Sequence, residues 1–398
     1  MAQSKPLRFR ELIEYEEEGR YTMFPIKRWP EWRAYKKAQE LFWVEEEIDA
    51  ELAKNPREWS TLEKKIRHFL KRILAFFAVS DGIVAETIME EIMRRIQTRE
   101  IKLWYNFQVM MEDIHNIVYS KLIDTYIKSE HKKKKLFNAI EHYPTIRRKV
   151  EWSRKWLGRD NEINKLSDAN QDALLQLRKM YLAAKQISQV MGSTNEPNAQ
   201  IEQLFADLNE PRPSLARQIL INTIMEGVFF SGSFCAIYWI YNNGGKLPGL
   251  SKANEYISRD EGMHTDFGVH IYKSLDAQLS QEEVHDIMRE AVDVEIDFIC
   301  DALPEGLLGM NATLMTEYVQ FVADRLLISL GYDIIFDSKN PFPFMDKQST
   351  SIRMGDFFND GNISEYGHHS AGIGPDDQAL NFSEEFDRFA MCILIFFS

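Results

Sequence analysis

The chain has 398 residues, a formal net charge of -13 and 44% hydrophobic residues. That is enough chain to bury a large core without covalent staples, and the three cysteines, Cys235, Cys300 and Cys392, have neither metal-finger nor disulfide spacing. The acidic balance opposes general nucleic-acid binding, which needs a basic footprint, and the polar, basic start Met1–Arg10 lacks the apolar stretch of a signal peptide. In chain order, the elements that follow read as helices. Apolar residues recur at three and four positions, not two, over Trp32–Glu51, Leu62–Ile92 and Ile101–Lys128. The basic run Lys132–Lys135 reads as a solvated helix start or turn. Between Arg159 and Pro213 the texture shifts to Asn, Gln, Asp and Ser, which predicts two exposed helices around a loop at Gly192–Pro197. Ser214–Tyr241 is apolar and closes on the turn signal Asn242-Asn243-Gly244-Gly245. Its stretch Ile219–Tyr241 is the one candidate membrane span, but Glu226 sits inside it, and an ionised acid there is costly in lipid. A helix buried in protein is predicted instead, and no membrane is expected as a partner. Lys252–Leu275, Gln281–Ala302 and Leu314–Leu330 complete the helices, with Ser280 and Asn311 placed to cap the last two. There is no βαβ series, Gly-rich phosphate loop or internal repeat; a weak hairpin signal lies at Ser349–Asn362. The expected organisation is an N-terminal extension (1–30), a helical domain (31–345) carrying the polar segment 159–213, and an irregular tail (346–398) that ends in the apolar run Met391–Phe397.

Two Glu-x-x-His pairs stand out on these helices, Glu112-Asp113-Ile114-His115 and Glu261-Gly262-Met263-His264. At i and i+3, carboxylate and imidazole share a helix face and aim at one point. A bundle that holds two metal ions needs two such pairs plus one carboxylate from each of two further helices. Glu226, the one acid in Ile219–Tyr241, is the third carboxylate, because stranding it in an apolar helix is costly unless it is paired or metal-bound. The fourth comes from the apolar stretch Ala75–Val84, where Asp81 is the candidate and Glu86 its rival; the plain alternative for Asp81 is a helix cap or kink beside Gly82. Four carboxylates and two imidazoles suit iron or manganese better than zinc or copper. Tyr119 lies four residues after His115 on the same face. There it is either ordinary core or the oxidisable side chain nearest the metals. Phe229, Phe230, Phe234 and Ile257 are available to wall it from water.

With these residues in place, the sequence resembles the small subunit of class I ribonucleotide reductase, in its eukaryotic and large-DNA-virus branch. The matching stretches are Phe42-Trp43, Ala75–Val84, Phe107–Tyr126, Glu226–Trp239, Asn254–Phe267 and Phe321–Tyr332, within Trp29–Tyr366 apart from the Asn- and Gln-rich segment Arg159–Pro213, which reads as an insertion. The resemblance implies an all-α, ferritin-like bundle with additional helices and a dinuclear metal site in its core. It implies metal ligands at Asp81, Glu112, His115, Glu226, Glu261 and His264, thereby selecting Asp81 over Glu86. It implies a stable radical on Tyr119, a pocket of Phe230, Phe234 and Ile257 around it, and a relay through Trp43 and Asp260, with Asp260 bonded to His115. The implied cofactor is a pair of iron ions, favoured over manganese by Tyr119, assembled with dioxygen and an electron donor. The implied assembly is a cytoplasmic homodimer that docks through its tail to a large, nucleotide-binding subunit, where ribonucleoside diphosphates are reduced. In the tail, Asn381–Phe389 resembles the docking peptide, Ala390–Ser398 overshoots it, and no tyrosine follows Tyr366 to end the relay. Two other classes fit parts of the pattern: another ferritin-like dinuclear oxidase or oxygenase, which has no need of Trp43, Asp260 or a docking tail, and a metal-storing or structural bundle, which leaves Glu226 and Tyr119 unexplained.

Overall fold

The computed structural model describes residues 21–157, 215–244, 247–303 and 309–345, together with helical positions 177, 180 and 181. The predicted loop at Gly192–Pro197, the hairpin at Ser349–Asn362 and the tail lie outside the described residues, as does nearly all of the segment 159–213. The described secondary structure is all helical: α1 (Trp29–Glu40), α2 (Asp49–Leu52), α3 (Asn55–Thr61), α4 (Lys64–Thr87), α5 (Arg99–Tyr126), α6 (Glu130–Phe137), α7 (Ala139–His142), α8 (Pro144–Leu157), α9 (Leu215–Ile224), α10 (Ser231–Asn242), α11 (Pro248–Lys273), α12 (Gln281–Ala302) and α13 (Ala312–Leu330). Prolines mark the starts of α1, α3, α8 and α11, where a missing N–H costs nothing. Ser280 and Asn311 cap α12 and α13 as expected, accepting from the N–H groups of Glu283 and Leu314. Lys132–Lys135 falls within α6, mostly on its exposed side.

Two helices depart from the regular period. The helix expected over Trp32–Glu51 breaks after Glu40, and a 3-10 turn follows at Glu45–Ile48. The Leu41 carbonyl left by the break accepts a hydrogen bond from Arg259 Nη2 at 2.8 Å, and the extended link lets Trp43 turn into the core. The apolar helix 215–242 is interrupted by a wide π turn at Met225–Phe229, which carries Glu226. A second π turn, Ile88–Ile92, ends α4. Such single-turn bulges cluster at functional sites. Helix 215–242 is buried inside the protein, as Glu226 required.

The core is built by α4 packing on α5, α5 on α11 and α11 on α9, with α12 and α13 closing the other side and α8 lying on α12. Phe69, Phe76, Phe77, Trp104 and Phe298 are fully buried, each worth roughly 1.5–3 kcal/mol of transfer free energy. The α9–α11 contact depends on Gly268, where an added Cβ would sit 2.2 Å from Thr223 Oγ1. That close approach sets how near Glu226 and His264 can come.

At the entry to the bundle, Glu31 on α1 is buried, accepts from Arg28 Nε at 2.8 Å and lies 3.2 Å from His270 Nε2 on α11. Burial alone would raise its carboxyl, but the His270 and Arg28 contacts outweigh it and hold the pKa at about 2, below the ordinary 4.5. A depressed carboxylate contributes stability that is present above its unfolded pKa and lost as pH falls through its folded one. Glu31→Gln is therefore expected to be less stable than the parent at neutral pH, with the difference shrinking as pH falls from 4.5 toward 2. Urea unfolding across that range measures it; a pH-independent difference would contradict the ion-pair account.

Candidate metal centre

The buried face of α5 carries Trp104, Gln108, Met111, Glu112, His115, Tyr119 and Leu122. Polar groups thus occupy positions that the helix period reserves for core. From α4, Asp81 meets them; from the π turn, Glu226; from α11, Glu261 and His264. All six side chains proposed as ligands are at most 3% exposed. They form two groups whose potential ligand atoms lie within 4.8 Å of one another: Asp81, Glu112 and His115, and Glu112, Glu226, Glu261 and His264. Glu112 belongs to both. Glu261 also reaches both imidazoles, with Oε1 3.1 Å from His115 Nδ1 and Oε2 3.2 Å from His264 Nδ1. His264 Nδ1 is 3.0 Å from Glu112 Oε1 and 3.7 Å from Glu226 Oε2. Asp81 sits inside α4 and not at a cap or kink, while Glu86 lies on the exposed side, away from the cluster.

The donor set fits cations. Both oxygens of Asp81, both of Glu112, Glu226 Oε2, Glu261 Oε1 and His115 Nδ1 are buried without a hydrogen-bond partner in the protein. Among the described residues no Lys or Arg is ion-paired with these four acids. Two imidazoles against four buried acids leave negative charge uncompensated, and an uncompensated buried charge costs several kcal/mol. Burial, reinforced by Glu112, pushes the Asp81 carboxyl well above its ordinary value. Burial and the Glu261 charge do the same to Glu226. Burial opposes the charged forms of His115 and His264, but the surrounding acids override it and raise both imidazoles. A cluster that draws protons onto its histidines draws metal ions for the same electrostatic reason, and the oxygen-rich set suits iron or manganese.

Partners behind the cluster fix its orientation. Gln108 Nε2 donates to Glu226 Oε1 at 2.6 Å. His115 Nε2 is 3.1 Å from Asp260 Oδ2, so that nitrogen carries a proton and Nδ1 is left facing the acids. The same Oδ2 accepts from Trp43 Nε1 at 2.7 Å, and Arg259 holds Asp260 Oδ1 at 3.2 Å. Trp43, 2% exposed, lies parallel to the His115 ring with centroids 6.0 Å apart. The contact between Asp260 and His115 expected from the sequence is thus present, with Trp43 joined through one shared oxygen.

Tyr119 is 1% exposed and its hydroxyl has no hydrogen-bond partner. Burial, then the Asp81 charge, pushes its phenol well above the ordinary value, so it holds its proton. Its ring stacks on Phe77, with centroids 4.5 Å apart and planes 19° off parallel. Phe230 and Phe234 pack on Phe77, with centroids 5.7 and 5.1 Å from its ring, and Ile257 is fully buried. Phe77 and Gln108 were not singled out from the sequence, yet each stands four residues before a candidate ligand on the same helix face, Asp81 and Glu112. That spacing was the available signal.

Known proteins give the same picture. The sequence profile of the family "Ribonucleotide reductase, small chain" matches residues 20–341. The chain is 38% identical over 376 residues to a ribonucleoside-diphosphate reductase small chain of Plasmodium falciparum (isolate Dd2), covering 94% of this chain and 91% of the relative. It is 39% identical over 359 residues to the small chain of Trypanosoma brucei brucei, covering 90% and 89%. The solved structure of the Rnr4 ribonucleotide reductase homodimer from Saccharomyces cerevisiae superposes with a TM-score of 0.64 at 28% identity, over 85% of this chain and 92% of that one. The same fold, at 15% identity and a TM-score of 0.61, occurs in the dimanganese(II) NrdF of Streptococcus sanguinis, over 84% and 99%. With its ferritin-like helices and its buried acid and histidine cluster, the chain belongs to the ribonucleotide reductase small-chain family, the oxidoreductase subunit of that name.

Proposed function

We propose that this chain generates and stores a tyrosyl radical and passes it to a large, nucleotide-binding subunit for the reduction of ribonucleoside diphosphates. Asp81, Glu112 and His115 would hold one iron, and Glu112, Glu226, Glu261 and His264 the other. The observation that carries this reading is the overlap of those two groups at Glu112 beside a buried phenol with no hydrogen-bond partner. When bound, the metal pair supplies one-electron oxidation in the presence of dioxygen and an external electron donor. The protein's own residues do the rest. Tyr119 would lose an electron and its Oη proton together, the proton passing to the neighbouring acid cluster, since burial forbids a lone phenolate and the Asp81 carboxylate is the charge that acts most strongly on that phenol. Phe77, Phe230, Phe234 and Ile257 exclude water and reductants from the ring. A cavity of about 190 Å³ reaches Glu226 and Glu261 from Arg325, Ser329 and Met345, and offers small molecules a way in. His115, Asp260 and Trp43 form a hydrogen-bonded line leading out, along which an electron moves inward as the oxidising equivalent leaves. The segment 346–398 docks on the large subunit, the chain works as a homodimer, and its address is cytoplasmic.

Reconstitution with ferrous iron and dioxygen tests the core of this reading. Elemental analysis should find two irons per chain, and electron paramagnetic resonance a tyrosine signal. With Fe(II) and Mn(II) offered together, uptake of manganese alone would reassign the metal, and no paired uptake of either would overturn the site. Trp43→Phe separates relay from assembly: it removes the indole N–H and the readily oxidised ring while keeping an aromatic ring in the buried site. The radical should form normally while turnover with the large subunit falls to background; ordinary turnover would remove Trp43 from the path.

A further inference from the structure

Outside the ligand cluster, one buried ion pair has no part in the chemistry above. Lys149 on α8 and Glu295 on α12 are 3% and 0% exposed and in direct contact. The Lys149 ammonium lies 3.5 Å from the Phe76 ring centroid, 4.1 Å from Phe298 and 5.1 Å from Phe229, boxed in by aromatic faces. A dry ion pair is poor value as a stabiliser, because desolvation offsets its attraction and two apolar side chains often serve as well. Its placement explains it better.

Lys149 Nζ donates at 2.9 Å to the carbonyl of Phe229, the last residue of the π turn that carries Glu226. Between that turn and the α-helix resuming at Ser231, the backbone changes hydrogen-bond register at Phe230. Side chains bond to the carbonyls at that junction. Ser231 Oγ donates to the Val228 carbonyl at 2.7 Å, and Lys149 serves its neighbour. Glu295 is the counter-ion of the same ammonium. It can reach because residue 232 is glycine: a Cβ there would sit 2.8 Å from Glu295 Oε1. Three devices, a buried cation, its counter-ion and a glycine, thus converge on one carbonyl of one irregular turn.

We infer that Lys149 and Glu295 are positioning residues: by holding the Phe229 carbonyl they fix the π turn and hence the aim of Glu226 at the metal pair. The same cation braces Phe76, which packs on Phe77 and Phe230 at 5.6 and 5.5 Å, so the turn and the wall of the Tyr119 pocket share one anchor. The role rests on the two-metal reading above, and the test distinguishes the two.

Metal-free protein is titrated with Mn(II) by equilibrium dialysis, free Mn(II) being followed by electron paramagnetic resonance. The parent should take up two ions. Lys149→Met with Glu295→Leu replaces the pair by apolar groups. It should keep the ion on Asp81, Glu112 and His115 while weakening the one that needs Glu226 by roughly 10–100-fold, the usual cost of a lost outer support. Lys149→Gln with Glu295→Gln restores a neutral donor and should recover most of that affinity. If the apolar pair fails to fold, Gly232→Ala carries the test: it displaces the Glu295 carboxylate with both charges retained, and the same selective loss is expected. A folded variant that binds both ions as the parent does overturns the positioning role alone. A parent that never takes up a pair overturns the metal reading on which it rests.

Discussion

Glu112→Gln is expected to abolish the binding of both metal ions, whereas Asp81→Asn should weaken only one. Glu112 is the single side chain shared by the two ligand groups, and its two oxygens are both buried without a hydrogen-bond partner in the protein. The glutamine amide keeps the volume but offers one weak carbonyl oxygen and turns two N–H groups toward His264, whose Nδ1 lies 3.0 Å from Glu112 Oε1. The comparison reads cleanly in thermal unfolding. A ligand that binds the native state stabilises it by about 2.7 kcal/mol at a hundredfold excess over its Kd, which for a chain of this size is a shift of a few degrees. The parent melting temperature should rise on adding Mn(II) or Fe(II), that of Asp81→Asn should rise less, and that of Glu112→Gln should not move. Without metal the order inverts, because each neutralised acid relieves like-charge crowding in a dry site. Glu112→Gln should then melt at or above the parent. A variant that still responds to metal as fully as the parent would mean that Glu112 is not shared.

Much of this site is legible in the sequence, and the reason is physical. A helix period assigns each residue to a face, so Glu112, His115 and Tyr119, in register with Trp104 and Leu122, had to be buried, and Glu226 inside an apolar helix had to be compensated. The two carboxylate–imidazole pairs then followed from i and i+3 geometry. Asp81 was harder. Periodicity alone left Glu86 in contention, and the resemblance to a family settled it by position, not by energy. What escaped the sequence are contacts set by breaks in the period. The expected helix Trp32–Glu51 hides the interruption after Glu40 that frees Trp43, because Leu41, Phe42 and Val44 keep the apolar rhythm through residues that are not helical. The π turn at Met225–Phe229 adds a residue to one turn without any local marker. The pairing of Lys149 with Glu295 joins two helices that are distant in sequence, and each residue alone looks like an ordinary surface charge.

Tyr119→Phe should erase both the tyrosine radical signal and nucleotide reduction while leaving the fold and the metal pair intact. The argument starts from the orphaned hydroxyl. A buried hydroxyl with no partner costs about 1–3 kcal/mol, so deleting Oη removes a penalty and not a bond. The Phe ring keeps the stack on Phe77, and the volume change is a single atom. The melting temperature of the metal-free variant should therefore equal or exceed that of the parent, and metal uptake should be unchanged, because Tyr119 is not needed in either ligand group. Activity has no such cushion. Among the described residues the phenol is the one oxidisable ring that is both buried beside Asp81 and free of hydrogen bonds, whereas the buried Tyr126 accepts from Asn55 at 2.6 Å and Tyr238 is bonded to Ser258 at 2.9 Å. If a tyrosine signal persists in Tyr119→Phe, its hyperfine pattern identifies another ring, and Tyr238 becomes the first to replace, since it also lines the cavity that reaches Glu226. If the signal is lost together with metal uptake, the hydroxyl is a structural partner of the centre and not its oxidisable neighbour. Only loss of radical and turnover with metal and stability retained assigns the stored oxidising equivalent to Tyr119.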